Sequence, residues 1–125
     1  MTTDRISEQP APTPTDATPT WELVIADCRR HDRFEFDPAW KAMVADMDAR
    51  NAEGVRKYGV PLTPHNGRDS LVDAFQESLD KLAYLANAIS EAGTAPVSDR
   101  LDDLYFREVY SCRDIRQLLL ERDGE

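Results

Sequence analysis

Long apolar runs, strand-like alternation and an excess of positive charge are all missing from this sequence, and each absence narrows its class. No run approaches the ~18 apolar residues of a membrane-spanning helix, and the N-terminus lacks the basic-then-apolar pattern of a secretory signal. A cytoplasmic location and no membrane partner are therefore expected. Fifteen Lys and Arg face 24 Asp and Glu, leaving a formal net charge of −9. Gripping a nucleic-acid backbone requires a positive surface that displaces counterions, so no nucleic-acid partner is expected. A nucleotide substrate stays open, because a carboxylate-rich pocket binds a triphosphate through a divalent cation that reverses the local sign. Cysteine occurs only at Cys28 and Cys112, without CxxC spacing. That reads as two reduced thiols, not a metal finger. Neither a strand period nor an internal repeat is present.

What is there is helical. The first twenty residues hold four prolines and many threonines but almost no large apolar side chain. Such a segment cannot bury enough surface to order itself, so residues 1–20 read as a disordered tail and 21–125 as one domain. Trp21, Val24, Ile25 and Cys28 mark a short helix over 21–30. Asp37 and Pro38 suit the cap and first turn of a second helix reaching about Lys57. Its stripe is Trp40, Met43, Val44, Met47, Asn51, Gly54, Val55 and Tyr58. Asn51 is an odd member, since an amide on an apolar stripe needs hydrogen-bond partners. A third helix starts at Asp69 or Ser70 and ends near Gly93, with Leu71, Val72, Phe75, Leu79, Leu82, Ala83, Ala86 and Ile89 as its core face. A last helix runs from about Asp99 to Arg122 along Leu101, Leu104, Tyr105, Val109, Cys112, Ile115, Leu118 and Leu119. The expected fold is all-α, a bundle of about four helices.

Two features suggest chemistry. Asp73, Glu77 and Asp80 lie on one face of the third helix, where Glu77 and Asp80 point at one region of space. Crowded carboxylates invite a cation, and Mg²⁺ takes its oxygen ligands partly from carboxylates and partly from phosphates. Glu53 on the second helix is a candidate to complete the set. The same strip is also what a solvated face of an acidic protein looks like, and Ser70 with Asp73 reads equally as a capping box. The second feature is the loop from Tyr58 to Arg68, YGVPLTPHNGR, long for a helix–helix connection. Asn66 and Gly67 sit at the third helix's N-terminus, where the dipole favours anions. Arg50, Lys57 and Arg68 are cations that precede the third-helix carboxylates in sequence, suited to charge on a leaving pyrophosphate. His65 has no nucleophile to activate and reads as solvated.

Arg50-Asn51-Ala52-Glu53-Gly54, Lys57-Tyr58-Gly59-Val60-Pro61-Leu62, Asn66-Gly67-Arg68-Asp69, the run Asp73 to Asp80 and Tyr84-Leu85 together resemble MazG-like all-α nucleoside triphosphate pyrophosphohydrolases. The likeness is to the short single-domain versions often carried by bacteriophages and covers roughly residues 38 to 92. The resemblance implies a homodimer or homotetramer and hydrolysis of a nucleoside triphosphate, deoxynucleoside included, to monophosphate and pyrophosphate. It also implies Mg²⁺, with Mn²⁺ as a substitute, held by carboxylates of two helices. The ExxD of the second of those helices matches Glu77 and Asp80. The first usually carries ExxE; here the matching stretch has Asn51 and Glu53, only the latter acidic, with Asp69 or Asp73 as replacement ligands. Glu53 or Glu77 would then orient the attacking water, and Arg50, Lys57, Tyr58, Asn66, Arg68 and Tyr84 would contact substrate. The incomplete first motif leaves an alternative: a protein that binds a nucleotide without cleaving it. An assembly module without a ligand is the third possibility, with Tyr105, Phe106, Val109 and Tyr110 as its apolar surface.

Overall fold

The structure, a computed structural model, describes residues 4–125. It is all-α, with four helices: α1 (Thr20–Arg29), α2 (Pro38–Tyr58), α3 (Ser70–Ala92) and α4 (Ser98–Asp123). No strand occurs among the described residues, and no helix among them is long and apolar enough to cross a membrane. The chain divides into two compact units. One holds Pro10–Arg68, with α1 and α2; the other holds Asp69–Glu125, with α3 and α4, and the N-terminal residues through Gln9.

In the first unit the start of α2 follows from local chemistry. The Asp37 carboxylate accepts the Ala39 N–H at 3.0 Å, and Pro38 occupies a first-turn position that needs no donor. The helix ends at Gly59, whose φ of 77° lies in the left-handed region where a side chain would be strained. Ile25 and Val44 are buried. Trp40 fastens α2 to α1 through its indole N–H, which donates to the Cys28 carbonyl at 3.0 Å, while His31 stacks on the same ring at 4.2 Å between centroids.

In the second unit Val72 and Phe75 of α3 meet Cys112 and Leu119 of α4, with Leu71, Leu82 and Ile115 packed around them. Each such large side chain contributes on the order of 1.5–3 kcal/mol when fully buried. The apolar stripes are wider than this contact. Leu79, expected on the core face of α3, and Leu104 and Leu118, on the apolar stripe of α4, are exposed on the chain. A helix with one neighbour can cover only the arc that faces it, and these residues lie beyond that arc.

The cap of α3 corrects one expectation. Asp69, not Ser70, is the N-cap: its carboxylate accepts the N–H groups of Leu71 and Val72, each at 3.1 Å. Asp73 takes no part in a capping box with Ser70 and instead accepts from the Gln9 amide at 2.6 Å. Arg122, from the far end of α4, also donates to the two Asp69 oxygens at 3.0 and 2.6 Å.

The N-terminal segment has no helix before Thr20, in keeping with its composition, yet it is tied down along its length. Met1 to Thr3 lie outside the described residues. In the unit of α3 and α4, Gln76 donates to the Ser7 carbonyl at 2.7 Å, and the Gln9 side chain both donates to the Asp69 carbonyl and accepts its N–H. In the unit of α1 and α2, Thr13 bonds the Asn66 carbonyl through backbone and hydroxyl, and Thr15 bonds the Thr63 hydroxyl. Composition measures what a segment can bury by itself. It does not register the loop backbone that short hydroxyl and amide side chains find as partners.

Candidate functional site

On α2, Arg50, Glu53, Lys57 and Tyr58 are exposed and follow one another along the last turns. Glu53 is committed within its own helix: its carboxylate accepts from Arg56 Nε at 2.9 Å and from a second guanidinium nitrogen. That hydrogen bond, with Arg50 and Lys57 adding charge, holds the Glu53 carboxyl below the usual carboxylate range. The Lys57 ammonium lies 5.1 Å from the centre of the Tyr58 ring. Asn51 Oδ1 is buried and accepts no hydrogen bond among the described residues. An acceptor in that position costs free energy until a water or ligand donates to it.

The loop after α2 turns through three left-handed residues, Gly59, His65 and Gly67. Asn66 is buried and builds the loop: its side-chain oxygen accepts the Arg68 N–H at 3.0 Å while its carbonyl takes Thr13. Arg68 donates to the Pro10 carbonyl at 2.6 Å. Both residues face the N-terminal segment, a relationship that no local pattern encodes.

On α3, Glu77 and Asp80 are exposed, one turn apart, and neither makes an ion pair or side-chain hydrogen bond among the described residues. Tyr84, one turn further on, is 69% exposed. The α3 group of Asp73, Glu77, Asp80 and Tyr84 and the α2 group of Arg50, Glu53, Lys57 and Tyr58 belong to different units. Among the described residues no three His, Cys, Asp or Glu side chains gather into a group able to hold a metal ion. What α3 offers is a carboxylate pair.

Beside that pair, α3 and α4 form an open, shallow groove of about 500 Å³ lined by Glu77, Ser78, Lys81, Tyr84, Glu108 and Ser111. Its central group is Glu108, whose side chain is only 10% exposed. One carboxylate oxygen accepts the Ser78 hydroxyl at 3.1 Å and the other pairs with the Lys81 ammonium at 3.0 Å. Sequence reasoning passed over Ser78, Lys81, Glu108 and Ser111. A signal did exist: Ser78 falls between Phe75 and Leu82 on the core face of α3, where a hydroxyl must find a buried partner. No family model, curated protein or solved structure matches the chain.

Proposed function

We propose that the protein is a MazG-like hydrolase, a cytoplasmic enzyme that cleaves a nucleoside triphosphate, deoxynucleoside included, to monophosphate and pyrophosphate with Mg²⁺. The observation that carries this reading is the Glu77–Asp80 pair: two carboxylates one turn apart on α3, exposed and without a cationic partner among the described residues. They belong to the ExxD stretch of the resemblance. Mg²⁺ is commonly bound through one or two carboxylates, its other positions going to water and substrate phosphate, so the pair fits the ion, and Mn²⁺ equally. When bound, the metal supplies Lewis-acid polarisation of the phosphates and a more acidic water. Glu77 and Asp80 would hold it, with Asp73 nearby on the same helix, and Glu77 would orient the attacking water. The resemblance implies Arg50, Lys57 and Arg68 as the cations for the charge on the departing pyrophosphate. Tyr58 and Tyr84 offer ring faces, and Asn66 keeps the loop in shape. Leu79, Leu104, Phe106, Tyr110 and Leu118, exposed on one chain, support assembly into a homodimer or homotetramer.

One observation favours a second reading, a protein that binds a nucleotide without cleaving it. Glu53, the only acidic residue of the first motif, is tied to Arg56. A panel of nucleoside triphosphates with Mg²⁺, followed for pyrophosphate release and thermal shift together, tests both. Pyrophosphate release supports the hydrolase, and a shift without release supports the binding protein. Neither response to any triphosphate would overturn both.

A further inference from the structure

We propose that the groove between α3 and α4 is a nucleobase site that selects guanine, with Glu108 as the residue that reads it. This deepens the pyrophosphohydrolase reading and rests on it for the idea of a nucleotide substrate. The choice of base comes from the groove.

A carboxylate withdrawn from water needs donors around it. Glu108 has two, the Ser78 hydroxyl on one oxygen and the Lys81 ammonium on the other. A carboxylate offers about four acceptor positions, two on each oxygen. One position on each oxygen therefore remains for a ligand, and the pair suits two parallel N–H donors side by side. Guanine presents that arrangement on its Watson–Crick edge, N1–H next to the 2-amino group. Adenine, cytosine and uracil present no such adjacent pair. Next to N1–H, guanine carries the acceptor O6, and Lys81, beside Glu108 and largely exposed, is placed to donate to it.

The remainder of the groove agrees. Its volume, about 500 Å³, lies in the range of small-molecule sites, roughly 300–1,000 Å³. Tyr84 sets a largely exposed ring on the groove wall, a stacking surface for a flat heterocycle. Two carboxylates, Glu77 and Glu108, against one ammonium, Lys81, leave the groove net negative. That repels a phosphate from the groove itself and favours a donor-rich base. Glu77 lines one end of the groove and belongs to the proposed metal pair.

The test is calorimetric titration of the full chain, without metal, with guanosine, inosine, adenosine and cytidine monophosphates. The four share a phosphate, so differences report the base. Inosine lacks only the 2-amino group. Guanosine monophosphate should bind at least ~10-fold more tightly than inosine monophosphate, the effect of losing one hydrogen bond to a charged group. The adenosine and cytidine compounds should bind more weakly still. Glu108→Gln should cut guanosine monophosphate affinity by at least ~10-fold and shrink the guanosine-to-inosine ratio; Tyr84→Ala should weaken all four alike. Equal binding of guanosine and inosine monophosphates by the unaltered protein, or no binding of either, overturns the proposal without any variant. Selective guanosine binding by a protein that releases pyrophosphate from no triphosphate would uphold the groove and remove the hydrolase. Pyrophosphate release without base preference would do the reverse.

Discussion

Asp69 carries three loads at the start of α3, and Asp69→Ala removes them together. The first is the cap: two backbone N–H groups, each accepted at 3.1 Å, for which loss of a capping side chain costs about 1 kcal/mol. The second is the negative charge at the helix N-terminus, ~0.3–1 kcal/mol. The third is the two-point contact with Arg122, which is open to solvent and therefore adds little. Allowing for overlap, Asp69→Ala should destabilise by about 2 kcal/mol, read from the midpoint of a urea melt at unchanged slope. Asp69→Asn keeps a capping oxygen and should cost under ~1 kcal/mol. The same contacts set a pH dependence. The hydrogen bond from Arg122 chiefly, with the Val72 and Leu71 N–H groups, holds the Asp69 carboxyl below its ordinary value. A carboxylate lowered on folding contributes fully above its unfolded value of ~3.9 and loses that contribution as pH falls through the lower folded value. The parent should therefore lose more stability than Asp69→Asn as pH falls below about 4. An Asp69→Ala melt that matches the parent would refute the reasoning, as would equal acid sensitivity of parent and Asp69→Asn.

Deleting the segment through Pro19 removes the hydrogen bonds of Ser7, Gln9, Thr13 and Thr15, each with a net value of ~0.5–1.5 kcal/mol. A fall in melting temperature should follow, and an unchanged value would show that those bonds contribute nothing. Leu119, 0% exposed, should cost about 2–5 kcal/mol as Leu119→Ala in chemical denaturation; a loss near zero would contradict the α3–α4 core. Mg²⁺ should raise the melting temperature by binding the native state, and Asp80→Asn should reduce that rise. A mutant that responds like the parent removes Asp80 from the metal pair.

How much could be read ahead of the structure depended on sequence distance. The Asp37–Pro38 start of α2 is a contact between neighbours, and its residue types settle it. At α3, Asp69 and Ser70 are adjacent and both suit a cap. Asp69 is the one that caps, and it also meets Arg122, 53 positions away, a contact no local pattern registers. Helical spacing identified which face of α3 and α4 is apolar but not how much of it a partner covers, so Leu79 was assigned to a core it does not enter, and Leu104 and Leu118 lie on a stripe of α4 that stays open. The Glu77–Asp80 pair was legible because both residues sit on one helix at a recognisable spacing. Glu108 was not, because its meaning depends on Ser78, 30 positions earlier. Asn51 stood out by residue type alone, and its buried acceptor remains without a partner among the described residues. The N-terminal segment was read as free because proline and threonine bury little of their own. Its fixed points are the Asn66 carbonyl and Thr63 hydroxyl of the loop, the Asp69 backbone and the side chains of Asp73 and Gln76 on α3.

The most direct test of the central claim compares the parent with Glu77→Gln and Arg68→Ala for steady-state pyrophosphate release and for triphosphate affinity by calorimetry. The parent with Mg²⁺ should release pyrophosphate. Glu77→Gln, which keeps size and removes charge, should lower turnover by at least ~100-fold, the effect of losing a catalytic base or metal ligand. Arg68→Ala should chiefly weaken triphosphate binding, by ~10-fold or more, through loss of a charge-assisted contact. If the parent hydrolyses a triphosphate and both variants match it in turnover and affinity, the carboxylates of α3 and the loop before it are not the active site.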